Sequence, residues 1–436
     1  MIIDKKMLSK IAICIMSLMF FLFNLLSDNY TEFSNILTAI YVFAIFVYLT
    51  YISRKNILLF IVFFFITYCN YSILYGRYIN PEIAMINSVI ESSYVDGLGI
   101  NILLLFLTTI LMFLKPIKKI EYDYGFLMNE NRSNKLISWG AFLVIILIGI
   151  FFYTPAIDGG RAGYSPLYEY STIFFIIGFY YSGKRRSITG KALVVLLILY
   201  TIRDFIGGHR VTGLQLMIIL FVFFFAYRTN YRKVLLMGFA GIVLMNFVAV
   251  YRSTFMLSST SIARSFNNLY EKMFAFDTAY YAYLASLTFI ATKPLYPIVV
   301  RLGQFSDFIV SQILVGTVGE SLYEISRKYY SHANGGILPI YFFYYLGWLG
   351  TIISGLLVTI YFNLIESVRT STLGLKKVIL VYVVATVPRW YLYSPNQLIR
   401  GVILLIIVYY IAHIVDTIIP KKQKNTVNAQ IYQKID

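Results

Sequence analysis

The run Arg203-Asp204-Phe205-Ile206-Gly207-Gly208-His209-Arg210 places four ionisable side chains around a glycine pair. Residues of these types could hold an anion. Guanidinium forks match phosphate or carboxylate oxygens two at a time. The glycines let backbone approach a ligand closely, and a helix opening at His209-Arg210 would add free amides and the positive end of its dipole. Asp204 or His209 could also accept a proton from an attacking hydroxyl. The plainer account is a local Arg203–Asp204 pair followed by a glycine turn.

Other arginines are scattered along the chain. Arg252, in Tyr251-Arg252-Ser253, could bind the same anion or could simply snorkel to lipid phosphates. Asp158-Gly159-Gly160-Arg161-Ala162-Gly163-Tyr164 reads as a solvated turn or as a mobile loop gating a site. Arg389, in Pro388-Arg389-Trp390-Tyr391, lies inside an apolar stretch. A cavity-facing guanidinium on aromatic rings and an interfacial aromatic belt are both open there. Arg77 and Arg400 also sit near the ends of apolar runs. Arg264, Arg301, Arg327, Asp277, Asp307, Glu320, Glu324 and His332 fall in one long polar-to-aromatic segment, where each taken alone reads as solvated.

Several familiar chemistries are missing. There is no HExxH, no GxSxG and no DxD on the lysine-poor side, Glu121-Tyr122-Asp123 being on a lysine-rich segment. Three histidines give no basis for a histidine metal site, and Cys14 and Cys69 lie in apolar runs without a CxxC pattern. No metal or cofactor is therefore expected, and a leaving group would be stabilised by arginines.

The elements that must position these residues are membrane helices. The chain of 436 residues is 59% hydrophobic with a mean hydropathy of +0.73, more apolar than a soluble domain of this length requires. Apolar runs near 20 residues recur, at about 9–27, 33–52, 57–75, 95–114, 136–153, 167–182, 191–206, 211–227, 233–251, 336–365, 377–394 and 398–418. They predict an all-α, polytopic bundle of about twelve transmembrane helices. The tenth is long enough to be tilted, or broken at Gly347 or Gly350. The expected organisation is nine spans over 1–251, a large external loop over 252–335, three spans over 336–418 and a tail over 419–436.

The net charge of +17 is distributed to match. Threaded this way, seventeen of the twenty lysines fall on one face, together with both termini. Lysine-rich loops mark the cytoplasmic side. With no zinc pattern, RNP-like motif or basic recognition helix, the charge sets topology and does not point to nucleic acid. Lys5, Lys6 and Lys10 before an apolar run resemble a signal peptide, but no small-residue cleavage site follows, so a retained first span is expected. Within the long loop, Thr278 to Thr292 and Phe305 to Val318 read as external amphipathic helices or re-entrant segments.

With the external glycine turn opening a span, the later Tyr251-Arg252, and the run from Gly335-Gly336-Ile337-Leu338-Pro339 into Leu346-Gly347-Trp348-Leu349-Gly350, the chain resembles bacterial O-antigen and capsule repeat-unit polymerases. It departs from them at Tyr341 to Tyr345, an aromatic stretch where related polymerases often carry an acid. The resemblance covers nearly the whole chain in topology, and it implies a GT-C-like membrane glycosyltransferase in the inner membrane. The implied substrate is an undecaprenyl-diphosphate-linked oligosaccharide, and a chain-length regulator and a flippase are the implied partners beside the bilayer. The growing chain would pass from its lipid carrier to the next unit. On this reading Arg203, Arg210 and Arg252 bind the diphosphate, with Arg161, Arg264, Arg301 and Arg389 contributing in one shared pocket, and Asp204, His209 or the remote Glu320 is the base. Two alternatives stay open. A lipid-linked oligosaccharide flippase would need charges within its spans. An O-antigen ligase would use arginine and histidine, as His332-Ala333-Asn334 invites.

Overall fold

Apolar runs become helices here because the residues before them can close the first turn. Asn56 Oδ1 accepts from the Leu58 and Leu59 amides at 3.1 and 3.4 Å, and Asn134 does the same for Leu136 and Ile137. Thr31 and Ser187 cap the helices that follow them. The computed structural model describes residues 5–27, 30–80, 92–118, 133–154, 163–183, 187–254, 259–275, 277–314, 322–330, 335–367 and 374–418.

The helices are α1 (Lys5–Ser27), α2 (Glu32–Ser53), α3 (Ile57–Leu74, prolonged by a π-helical turn, Tyr75–Ile79), α4 (Ser93–Phe113) and α5 (Lys135–Phe151). Then come α6 (Pro166–Glu169), α7 (Ser171–Ser182), α8 (Ile188–Ile206), α9 (Arg210–Phe224) and α10 (Tyr231–Thr254). The long segment holds α11 (Ser259–Glu271), α12 (Asp277–Thr292), α13 (Ile298–Ile313) and α14 (Leu322–Tyr329). The C-terminal part is α15 (Leu338–Leu346), α16 (Trp348–Ser367), α17 (Gly374–Ala385), α18 (Val387–Leu392) and α19 (Asn396–Ile418). Among the described residues the strands are a two-residue pair, Tyr153–Thr154 antiparallel to Gly163–Tyr164.

The protein is all-α, and its apolar helices suit a lipid bilayer. Among the described residues seven are long and apolar enough to cross one: α1, α2, α3 with its extension, α4, α10, α16 and α19. Length and composition support those seven directly. The expected twelve requires α5, α7, α8 and α9, and the divided α17–α18 segment, to be counted as well. The tenth expected span is divided at Gly347, whose φ of +63° ends α15. A Cβ on Gly350 would lie 2.0 Å from the Phe342 carbonyl oxygen, so glycine there lets α16 start hard against α15. The eleventh is divided at Thr386, before Pro388, whose ring removes an amide from the ladder.

In the long segment, expected to hold external amphipathic helices or re-entrant segments, the two apolar stretches differ in burial. α12 is buried on all sides, packed on α3, α4 and α15. Glycines on its neighbours admit it: a Cβ would stand 3.0 Å from Tyr280 at Gly76 and 2.8 Å from the Tyr283 hydroxyl at Gly99. α13 fits the expectation better, since Val299, Val300 and Leu302 are exposed.

Polar side chains lock helices together where apolar contact cannot discriminate. Asn24 on α1 donates to Thr38 on α2 and to Asn101 on α4, each at 3.1 Å. Such interhelical bonds contribute about 0.6–2 kcal/mol apiece. At the lysine-rich end Asn134 donates to Asp416, joining α5 to α19.

Candidate functional site

At the opposite end of α5, the strand pair Tyr153–Thr154 and Gly163–Tyr164 precedes α6. Ser165 caps this short helix through the Leu167 amide, and Pro166 supplies a fixed φ in its first turn. Tyr168 and Glu169 follow one another there, and each reaches a different arginine.

Tyr168 is fully buried, stacked on Tyr200 at 5.6 Å and tilted against Tyr153 at 5.4 Å. The Arg203 guanidinium lies 4.1 Å from the Tyr153 ring centre and 4.4 Å from that of Tyr200. It donates to the Gly149 carbonyl and to the Tyr168 hydroxyl, both at 3.0 Å. That hydroxyl in turn donates to Asp204 Oδ1 at 2.6 Å. Arg203 and Asp204 are thus joined through Tyr168, where the sequence offered a direct local pair. Successive helical residues point in directions about 100° apart, so a third group must bridge them.

The glycine pair has a structural use. Gly208, at φ +77°, ends α8 in a Schellman arrangement, with the Gly208 amide on the Phe205 carbonyl and the His209 amide on the Asp204 carbonyl at 2.7 Å. The pair thus acts as a helix stop. It turns His209 inward, buried and edge-on to Tyr153 at 6.1 Å. The Thr212 hydroxyl donates to the His209 carbonyl beside the Asp204 carboxylate.

Glu169 pairs with Arg389 on α18. Arg389 Nε donates to Glu169 Oε2 at 3.0 Å, and its second nitrogen pairs with Oε1, a fork-on-carboxylate contact. Gln397 donates to the same Oε2 at 3.1 Å, and the Arg389 guanidinium lies 4.8 Å from the Tyr393 ring centre. Tyr170 lies within electrostatic reach of Arg400, which donates to the Ser311 carbonyl on α13.

The remaining expected site residues are elsewhere. Arg210, on the first turn of α9, donates to Thr278 on α12 at 3.1 Å. Arg301 on α13 donates to the Tyr344 carbonyl at 2.8 Å and to that of Tyr296 at 3.1 Å, next to the negative end of α15. Beside it Lys293 stands over the Phe343 ring, and burial, reinforced by Arg301, lowers its ammonium to about 8. Arg264 is exposed on α11. Arg252 ends α10, but its side chain lies outside the described residues, as do Arg161, Asp158, Glu320 and His332 altogether. Among the described residues the expected arginines have separate partners: Arg203 and Arg389 beside α6, Arg210 on α12 and Arg301 at the end of α15. Each guanidinium needs a protein partner to be held at low dielectric, and those partners are dispersed.

Sequence reasoning missed Glu169, Tyr168 and Gln397. It also passed over Asp96, a buried carboxylate that receives Arg77 at 2.8 Å. The available signal was an acid at the start of an apolar run, which is costly there unless paired. No protein-family model, curated protein or solved structure matches the chain.

Proposed function

We propose that this chain is a membrane glycosyltransferase acting at its lysine-poor face on a lipid-diphosphate-linked saccharide, in the manner of a repeat-unit polymerase. The observation that carries the reading is α6: its consecutive side chains Tyr168 and Glu169 engage Arg203 and Arg389, with buried Asp204 and His209 alongside. Cleaving a sugar from a diphosphate lipid builds negative charge on the leaving phosphate. Guanidinium forks held by fixed neighbours stabilise that charge without reorganising. The attacking hydroxyl must lose a proton, and Asp204, Glu169 and His209 are the groups at hand.

A second reading has its own observation. Arg77–Asp96 and Arg389–Glu169 are low-exposure ion pairs at the ends of apolar helices, an arrangement that also suits a flippase carrying an anionic headgroup. A deletion strain complemented with the chain separates the two. Single units capping the lipid acceptor in the deletion, with polymer restored by the intact gene, support the polymerase. Lipid-linked units trapped on the cytoplasmic side support the flippase. Alanine at Arg203 and Arg210 with unchanged polymer length would overturn the assignment of arginines to the diphosphate.

A further inference from the structure

α11 is buried along one side. Ser265 and Leu269 lie there, and the Ser265 carbonyl accepts from Asn246 on α10 at 2.7 Å. Successive residues of an α-helix turn by about 100°, so the other side chains fall into two further sectors, each roughly 120° from the buried one. Ile262, Phe266 and Tyr270 make up the first, with Phe266 62% and Tyr270 80% exposed. Arg264, Asn267 and Glu271 make up the second and are exposed as well. The helix thus presents one face to protein, one apolar face and one charged face.

Its depth is set by α3. Tyr75 donates to the Glu271 carbonyl at 3.0 Å. Nearer the Asn56 end of α3, Tyr71 donates to the Met273 carbonyl at 2.6 Å and Tyr68 to that of Phe274 at 2.8 Å. Tyr75 opens the π-helical turn that finishes at Ile79. Four residues at 1.5 Å put it about 6 Å short of that end. α3 with its extension has 23 residues, about 34 Å, close to a hydrocarbon thickness of about 30 Å. The last turn of α11 is therefore fastened near the boundary between acyl chains and headgroups. Amphipathic helices that lie on membranes bury their apolar faces about 5–10 Å into that boundary.

We propose that α11 is an in-plane anchor in the bilayer surface at the Ile79 end of α3, with Ile262, Phe266 and Tyr270 among the acyl chains and Arg264, Asn267 and Glu271 at the headgroups. An apolar medium and an aqueous one must both run along the length of this helix, and a bilayer surface supplies the two side by side. Tyrosine and phenylalanine suit the apolar side of that boundary. The apolar sector also continues onto the lipid-facing surface of α10, where Phe274 packs on the exposed Phe239 with 5.3 Å between ring centres. Past Phe274 the chain reaches Thr278, the partner of Arg210, so the anchor fixes where the chain enters α12. Lipid contact of this kind does not depend on the reaction proposed above.

The test is nitroxide accessibility in the full chain reconstituted into phosphatidylcholine vesicles. Phe266→Cys and Tyr270→Cys report the apolar sector, Arg264→Cys and Glu271→Cys the charged one. All four positions are exposed, so the labels displace no packed side chain. The parent chain, whose Cys14 and Cys69 are buried, gives the labelling background. Each label is relaxed by oxygen, which concentrates among acyl chains, and by a nickel chelate confined to water. The oxygen-to-nickel ratio is expected to be severalfold higher at positions 266 and 270 than at 264 and 271. Equal ratios at all four positions overturn the proposal. So does shielding of 266 and 270 from both reagents with dipolar broadening between labels, which would place a second copy of the chain on that face.

Discussion

The Tyr168 hydroxyl stands 2.6 Å from Asp204 Oδ1 and accepts from Arg203 at 3.0 Å, so one phenol carries the contact between two oppositely charged neighbours. Tyr168→Phe keeps the ring stack with Tyr200 and removes only this link. It leaves a fully buried carboxylate short of a donor, a loss of about 1–3 kcal/mol. Thermal unfolding in detergent should show a lower midpoint, and complementation should show shortened or absent polymer. An unchanged midpoint would mean that Asp204 is satisfied without Tyr168.

Arg389→Ala leaves Glu169 with Gln397 but without its cation. Breaking a buried pair from one side costs about 3–5 kcal/mol. Adding Glu169→Gln should recover most of that loss, because no uncompensated charge remains. If Arg389 serves the leaving diphosphate, polymer will still be absent in the stable double variant. Arg389→Lys should keep charge yet lose the two-pronged contact and behave nearer to alanine than to wild type.

Two glycines in the same break should respond differently to alanine. At Gly347 the nearest heavy atom to a new Cβ is Lys293 Nζ at 3.7 Å, so only the positive φ opposes it, about 1–2 kcal/mol. At Gly350 the Cβ would meet the Phe342 carbonyl oxygen at 2.0 Å, which forces α15 and α16 apart. Gly350→Ala should therefore lower the unfolding midpoint well beyond Gly347→Ala. Equal effects would show that the contact between α15 and α16 is readily relaxed.

Lys293 should titrate early. Burial first, then the neighbouring Arg301, lowers its ammonium from 10.5 to about 8. A folded value below the unfolded one means that the unfolded chain binds more protons between about 8 and 10.5, so this residue's contribution to stability rises with pH across that window. Amine-selective labelling followed by peptide mass mapping checks it. The labelling rate at Lys293 should reach half its plateau near pH 8, and a half-point near that of exposed lysines would contradict the burial argument.

The exposed Arg264 provides a contrast with Arg210. Arg264→Ala should leave both folding and polymer length unchanged, since solvated charges change stability by less than about 0.5 kcal/mol. Arg210→Ala, which loses the Thr278 contact, should shorten polymer. Equal phenotypes would remove Arg210 from the site.

Much of the fold was legible along the chain, and little of the site was. The break at Gly347 could be read because a glycine in an apolar run is a local mark. The full burial of α12 was not legible: its alanines, serines and tyrosines left an amphipathic and a re-entrant helix both open, and only Gly76 and Gly99, about 200 positions away in sequence, give its rings room. The Arg203-Asp204 run was noticed for its charges, but its glycine pair proved to be a helix stop, and the phenol that joins the two charges comes from α6.

What the sequence by itself determined is which segments are apolar and helical. That is a sum of single-residue transfer free energies that needs no knowledge of neighbours. Only the tertiary structure decided that Glu169 meets Arg389 across 220 positions, that Arg210 turns to α12, and that Arg301 goes to the end of α15. A guanidinium binds whichever acceptor packing brings within about 3 Å, and that is settled by helix contacts distant in sequence.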